Sequence, residues 1–195
     1  MADIIPDRSA LDGVYREGTY GAERAGGPAV TLAERTGRTL IHLSGDVDGA
    51  GFPTAARHAF DLPLPLNAGE TRDGGATRLI WLGPDAWLAA CEDAPDLSGL
   101  EGLAAVNDVA PGRRVVRVSG PDSRALLANG CPLDLHPSAF PAGHAAQTLV
   151  GHVTALVDCV ADDTFEVYVT RSYARYFWDW LTGQAAEFGY RVAAA

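Results

Sequence analysis

Residues 164–189 read TFEVYVTRSYARYFWDWLTGQAAEFG. The first six alternate and are rich in β-branched and aromatic side chains, as a strand requires. From Ser172 the period changes. Tyr173, Tyr176, Phe177, Trp180, Leu181 and Phe188 fall at i, i+3, i+4, i+7, i+8 and i+15, one apolar stripe on a helix over 172–189. Ser172 marks the start of that helix, and Arg171 and Arg175 lie four apart along it. Two more short strands precede it, over 147–151 and 154–160, with Asp162-Asp163 in the turn before 164. Strands and helices in this mixed order predict an α+β fold of antiparallel sheets with helices on one face.

Further upstream, a strand, then Gly-Pro-Asp, then a helix is read twice. Residues 77–82 (TRLIWL) lead through Gly83-Pro84-Asp85 into AWLAACEDA, and residues 113–119 (RRVVRVS) lead through Gly120-Pro121-Asp122 into SRALLANG. A proline near the first helical turn costs little, because its missing N–H has no partner there anyway. The two copies lie 37 residues apart, which predicts an internal repeat. Ser119 is read as a cap for the second helix, and Asn129-Gly130 as its left-handed C-terminal cap. Residues 30–34 and 39–43 flank Arg35-Thr36-Gly37-Arg38 and predict a β-hairpin. A short helix is expected over 53–60. The Pro- and Gly-rich DLPLPLNAGETRDGGA puts a boundary near 67–76. The expected organisation is an arm over 1–27, ordered only if a partner holds it, a small α+β subdomain over 28–76, and a ferredoxin-like α+β subdomain over 77–195 ending in the long amphipathic helix.

The chain has 195 residues, 25 acidic and 15 basic, for a net charge of −10. Every basic residue is arginine, and lysine is absent. That excludes a Schiff-base enzyme, a pyridoxal-phosphate anchor and a Walker A loop. Without basic runs the chain is a poor ligand for nucleic acid or for an anionic membrane surface. The arginines are spread evenly, with no cluster expected around a pocket. Apolar runs are shorter than the ~18 residues of a membrane helix, and the opening MADIIPDRSALDG lacks the pattern of a secretory signal. Cys91, Cys131 and Cys159 are odd in number and far apart, which fits unpaired thiols in a reducing cytoplasm.

No catalytic set emerges. The histidines form no HExxH pair, and no CxxC exists. Asp134, His136 and His144 bracket one loop and are the best metal or acid–base candidates. Val118-Ser119-Gly120-Pro121 is not a nucleophile elbow. Of the three thiols Cys131, just after Gly130, is the best placed to lie near a surface, but with no cationic sequence neighbour to activate it a buried or inert cysteine is expected. Dinucleotide glycine patterns are missing. Trp178 falls about 120° from the centre of the helical stripe, on a flank beside Arg175. An aromatic beside an arginine, off the core face, predicts a partner interface comprising Arg171, Arg175 and Trp178.

WLGPDAWL, VSGPDSRALLANGCPLDLHPSAFPAG and TFEVYVTRSYARYFWDWL, in this order, resemble the gamma subunit of bacterial heterotetrameric sarcosine oxidase over about residues 77–189. The GCPLDLHP string and the arginine- and tryptophan-rich last helix are the specific parts; the Gly-Pro-Asp turns are shared with many folate-binding relatives. Ala146 stands where cysteine is common in the family. The resemblance implies a shortened version of the glycine-cleavage aminomethyltransferase (T-protein) folate-binding fold. It implies a non-catalytic subunit of a complex that demethylates sarcosine to glycine with oxygen, releasing hydrogen peroxide and formaldehyde or methylenetetrahydrofolate. FAD, FMN, NAD, zinc and tetrahydrofolate would then belong to other subunits, and the main partner would be the large alpha subunit. The KGCYxGQ signature of folate-binding relatives tied to iron–sulfur cluster repair is reduced to PAGHAAQT, with only Gln147 kept. Two rival readings stand beside this: a stand-alone tetrahydrofolate-binding module, and a methyltransferase-like enzyme using Asp134 or His136.

Overall fold

In the strand Thr164–Thr170 (β11), every second side chain faces a different core, and that alternation sets the layering. The structure, a computed structural model, describes residues 9–195. Phe165, Val167 and Val169 pack with Leu126 and Leu127 of the helix Ser123–Ala128 (α2) and with Phe177 and Leu181 of the helix Ala174–Ala185 (α3). Tyr168 faces the other way and meets Leu40, Ile80, Leu88 and Ala90, which lie on a second sheet. The far side of that sheet packs Ile41, Leu43, Leu79 and Trp87 on Phe52, Ala56 and Phe60 of the helix Phe52–Phe60 (α1). The order of layers is therefore α1, sheet, sheet, α2 with α3. Each sheet carries helices on one face only, as expected.

Among the described residues the larger sheet has seven strands, in the order Gly18–Tyr20 (β1), Tyr190–Val192 (β12), Val30–Glu34 (β2), Arg113–Ser119 (β8), β11, Val153–Ala161 (β10) and His144–Val150 (β9). The smaller has five: Thr71–Asp73 (β4), Thr77–Gly83 (β5), Ala86–Cys91 (β6), Thr39–Ser44 (β3) and Ala105–Asp108 (β7). Pairing is antiparallel except between β12 and β2.

Two-sided burial overturns the first Gly-Pro-Asp reading. AWLAAC is a strand, paired with β5 and β3, and Gly83-Pro84-Asp85 lies at the hairpin turn before it, with Asp85 at φ +55°. Alanine and leucine favour a helix locally, but burial on both faces selects the strand. Only Gly120-Pro121-Asp122 leads into a helix, so the chain carries no repeat of that unit. The expected hairpin also fails. Strands β2 and β3 form where expected, yet β2 pairs with β8 and β12 while β3 pairs with β6 and β7, so residues 35–38 step from one sheet to the other. The boundary expected at 76/77 falls within the smaller sheet, because Arg72 pairs with Leu79 across it.

The helix closing the chain is an α-helix flanked by 3-10 turns over Arg171–Tyr173 and Ala186–Phe188. Asn129 is right-handed (φ −62°), so it is no left-handed cap. Gly130 answers to space instead: a Cβ there, or at Gly151, would overlap the Trp180 indole. Ser119 stays in β8, paired with Thr31 and Thr164, and Asp122 takes the N-cap position. Of the expected arm, residues 1–8 lie outside the described residues. The remainder is held by its own chain: Leu11 is fully buried, and β1 pairs with β12.

Candidate functional site

An acidic residue inside an apolar strand needs a buried partner. Two occur side by side, Asp158 in β10 and Glu166 in β11, opposite one another in register and both facing the smaller sheet. Arg78 reaches across from β5. Its Nε and Nη2 donate to the two Asp158 oxygens at 2.6 and 2.7 Å, and its remaining donors go to Asp73 (3.0 Å), Thr71 Oγ1 (2.9 Å) and the Cys159 carbonyl (3.2 Å). Burial pushes the Asp158 carboxyl up to about 6, with the Arg78 pairing pulling against it.

Glu166 is 1% exposed and shared by three arginines: Arg117 at 2.7 Å, Arg38 at 2.8 Å and Arg35 at 3.5 Å. The Tyr168 hydroxyl also donates to it at 3.0 Å. Glu92 contacts Arg35 and Arg38 from the solvent side at 3.6 and 3.5 Å. Arg113 and Arg114 lie close by on β8, and Arg114 faces Glu34 at 3.7 Å. The expectation of evenly spread arginines is thus corrected. The step at 35–38 and the strand β8 bring five of the fifteen to one junction between the sheets. The available signal was an acid at an alternate position in TFEVYV and LVDCV.

The expected interface residues separate. Trp178 is 3% exposed and belongs to the core, its ring 5.1 Å from Tyr15. The Tyr15 hydroxyl donates to the Ala193 carbonyl at 2.5 Å and accepts the Glu34 N–H at 3.1 Å. Residues 9–15 cover the flank that the helical stripe leaves open, which the period of α3 alone does not reveal. Tyr173 and Tyr176, counted in the core stripe, are instead 57% and 52% exposed. Arg175 is exposed and Arg171 half-buried. The 3-10 turn and the first turn of α3 therefore present two tyrosines and two arginines outward, with the exposed Asp179 one turn further on and the tyrosines in place of Trp178.

The loop candidates are committed to local structure. Asp134 Oδ1 accepts the His136 N–H at 2.9 Å, and His136 Nδ1 sits 2.7 Å from Ser138 Oγ. His144 opens β9 and meets the Phe140 ring edge-on at 6.4 Å. Among the described residues no group of three His, Cys, Asp or Glu is placed to hold a metal ion. Cys131 is buried, as expected of an inert cysteine, and burial pushes its thiol up, as it does those of Cys91 and Cys159. Gln147 Nε2 donates to the Leu82 carbonyl at 2.9 Å and ties β9 to β5. No helix among the described residues is long and apolar enough to cross a membrane.

Comparison with known proteins gives the context. The sarcosine oxidase, gamma subunit family matches residues 44–187. Sarcosine oxidase subunit gamma of Corynebacterium sp. (strain U-96) is 32% identical over 174 residues, covering 86% of this chain and 84% of that one. The Arthrobacter sp. subunit gamma is 31% identical, with 82% of each chain covered. Among solved structures, a chain of heterotetrameric sarcosine oxidase from Corynebacterium sp. U-96, in complex with pyrrole 2-carboxylate, superposes with a TM-score of 0.82 at 29% identity, covering 93% of this chain and 95% of that one. Glycine cleavage system aminomethyltransferase T from Bartonella henselae gives a TM-score of 0.61 at 14% identity, covering 87% of this chain but 48% of the other, a likeness of fold that matches the expected shortened T-protein architecture. By the family match and by these relatives, the chain belongs to the sarcosine oxidase gamma subunit family.

Proposed function

We propose that this chain serves as the gamma subunit of a heterotetrameric sarcosine oxidase, in an assembly role with no reaction centre of its own. The observation that carries the reading is the near end-to-end match, in sequence and in fold, to a chain of such a complex. The internal chemistry supports it. The buried acids are engaged with arginines, burial raises all three thiols, and Asp134 and His136 are spent on a loop turn. In this reading the complex demethylates sarcosine oxidatively to glycine in the cytoplasm. FAD, FMN, NAD, zinc and tetrahydrofolate are held by other subunits, and the large alpha subunit is the main partner.

The docking face is the outer side of the 3-10 turn Arg171–Tyr173 and the start of α3, where Tyr173 and Tyr176 lie one turn apart and Arg171 and Arg175 supply charge. Exposed tyrosines beside arginines are the usual anchors of an interface core. Co-expression with the neighbouring reading frames, followed by size-exclusion chromatography, tests the reading. The chain is expected to co-elute with a flavoprotein that produces hydrogen peroxide from sarcosine. A chain that stays monomeric beside those partners overturns it. Serine at both Tyr173 and Tyr176 is expected to weaken assembly at least ~10-fold, about 1.4 kcal/mol, without altering the melting temperature of the isolated chain. Saturable heat from tetrahydrofolate with the chain alone would favour the stand-alone folate module instead.

A further inference from the structure

Between the 35–38 step and the start of β8 lies a cleft of about 210 Å³. Arg35, Arg38, Arg113 and Arg114 line it, with Ser9 and Glu34 on its wall. Glu34 and Arg114 are largely occupied with their neighbours. The Ser9 hydroxyl donates to Glu34 at 2.5 Å, Arg114 Nε faces the same carboxylate at 3.7 Å, and Arg114 Nη1 donates to the Arg113 carbonyl at 2.6 Å.

The other guanidinium groups exceed what the nearby carboxylates can accept. Arg35, Arg38 and Arg117 share Glu166 and Glu92. A guanidinium offers five donors and a carboxylate about four acceptor sites, so donors outnumber acceptors nearly two to one. The Nε atoms of all three are buried and make no hydrogen bond among the described residues, Arg35 Nε lying 3.5 Å from Glu166. The electrostatics agree. Burial first, then the neighbouring charges of Arg117 and Arg38, draws the Arg35 guanidinium below its ordinary value, although Glu166 and Glu92 oppose this. Positive charge is thus gathered at one cleft in a chain whose net charge is −10.

We propose that this cleft is a binding site for a small carboxylate anion, received by Arg35, Arg38 and Arg113. The planar fork of arginine fits a carboxylate through two parallel N–H···O bonds. Arg78 holds Asp158 in this way at 2.6 and 2.7 Å, while Arg38 and Arg117 each spend a single donor on Glu166. The volume sets the size: pockets for drug-sized ligands begin near 300 Å³, so this one suits an organic acid of a few heavy atoms. Arg113 is exposed at the mouth, and Arg35 is about a third exposed, so an anion reaches both from solvent.

Calorimetric titration of the full chain with succinate, at ionic strength held constant with sodium chloride, tests this. Inorganic phosphate is run in parallel. The expected result is saturable succinate binding with a Kd at or below about 1 mM and a melting temperature that rises with ligand concentration. Arg35→Gln and Arg113→Gln are each expected to weaken it at least ~10-fold, while Arg57→Gln on α1 leaves it unchanged. If Arg35→Gln unfolds the chain, the exposed Arg113→Gln decides alone. The proposal is overturned by no saturable heat from succinate up to about 20 mM, by binding indifferent to Arg113→Gln, or by phosphate binding where succinate does not.

Discussion

Glu166→Gln is nearly isosteric and removes one charge from the junction between the sheets. In the native chain that charge answers Arg117 at 2.7 Å, Arg38 at 2.8 Å and Arg35 at 3.5 Å, with its own side chain 1% exposed. Breaking a buried ion pair from one side costs about 3–5 kcal/mol, because the partner charge stays behind unpaired. The upper end does not apply here. The Arg35 and Arg117 side chains are 30% and 34% exposed and recover water, and the glutamine carbonyl still accepts one hydrogen bond. Arg38, at 12% exposed, is the group stranded. The expected loss is about 2–3 kcal/mol, and at about 2–4 °C per kcal/mol for a domain of this size the melting temperature falls by about 4–12 °C. Urea unfolding and calorimetry measure it. Glu92→Gln is the control: Glu92 is 53% exposed, so its loss is expected to cost under ~1 kcal/mol and to shrink in high salt. A Glu166→Gln variant within about 0.5 kcal/mol of the native chain, or no more affected than Glu92→Gln, would show that the Glu166 cluster adds nothing to the hold between the sheets.

Gly151→Ala places a Cβ in left-handed backbone (φ +56°) and against the Trp180 indole; a loss of about 2–4 kcal/mol is expected, and a Trp180→Ala background should remove the steric share in a double-mutant cycle. Trp178→Ala is expected to cost the isolated chain about 3–5 kcal/mol, because Trp178 is core against Tyr15; unchanged stability in urea would return that residue to the surface. The Asp158 carboxyl is expected to titrate near pH 6, well above the range of a free aspartate, because it is buried. Since the folded chain then binds that proton more tightly than the unfolded one, this group adds stability as pH falls through 6, and the gain is complete once pH is below the unfolded value near 4. A carboxyl resonance with its midpoint below pH 4 would refute it.

Much of the larger sheet was legible because its strands are apolar or alternating runs between clear turns. Residues 164–169 and 113–119 match β11 and β8 to within a residue. The errors share a cause, which is that periodicity reports how much of an element is buried and not by what. AWLAAC is buried on both faces, so it carries no strand alternation and was read as helix. Tyr173 and Tyr176 are in phase with the apolar stripe but lie at the first turn of the last helix, beyond the sheet that covers Phe177 and Leu181. Trp178 is out of phase and buried, because residues 9–15 return to cover it. At the candidate site, Asp158 and Glu166 are missing from the sequence reading although an acid in an apolar strand is a usable signal, and nothing local points to their partners. Arg78 is 80 residues from Asp158, and Arg38 is 128 from Glu166. Only the sheet order, with residues 35–38 stepping between the sheets, brings those pairs together.

The absence of lysine acquires a structural reading at that junction. Arg78 uses a planar fork to hold both Asp158 oxygens while other donors reach Asp73, Thr71 and the Cys159 carbonyl. An ammonium has three donors and no plane, so it could not span two carboxylate oxygens and three further acceptors at once. The contact between the sheets is otherwise made by a small apolar cluster, Leu40, Ile80, Leu88, Ala90, Val115, Leu156 and Tyr168 among it, and at the β9 edge by the Gln147–Leu82 bond and the Thr71–Gly143 and Ala145–Gly69 backbone bonds. Apolar contact is non-directional and tolerates sliding; the bidentate Arg78–Asp158 pair at 2.6 and 2.7 Å, and the single bond from Arg38 to Glu166 at 2.8 Å, do not. The arginines therefore fix the angle between two sheets that carry α1 on one outside and α3 on the other. For a subunit whose proposed task is to present the outer face of α3 to a partner, that fixed geometry is the relevant property. A single arginine–carboxylate pair would leave the sheets free to rock about it, whereas two clusters on adjacent strands, joined through the Asp158–Glu166 register, hold them at two points.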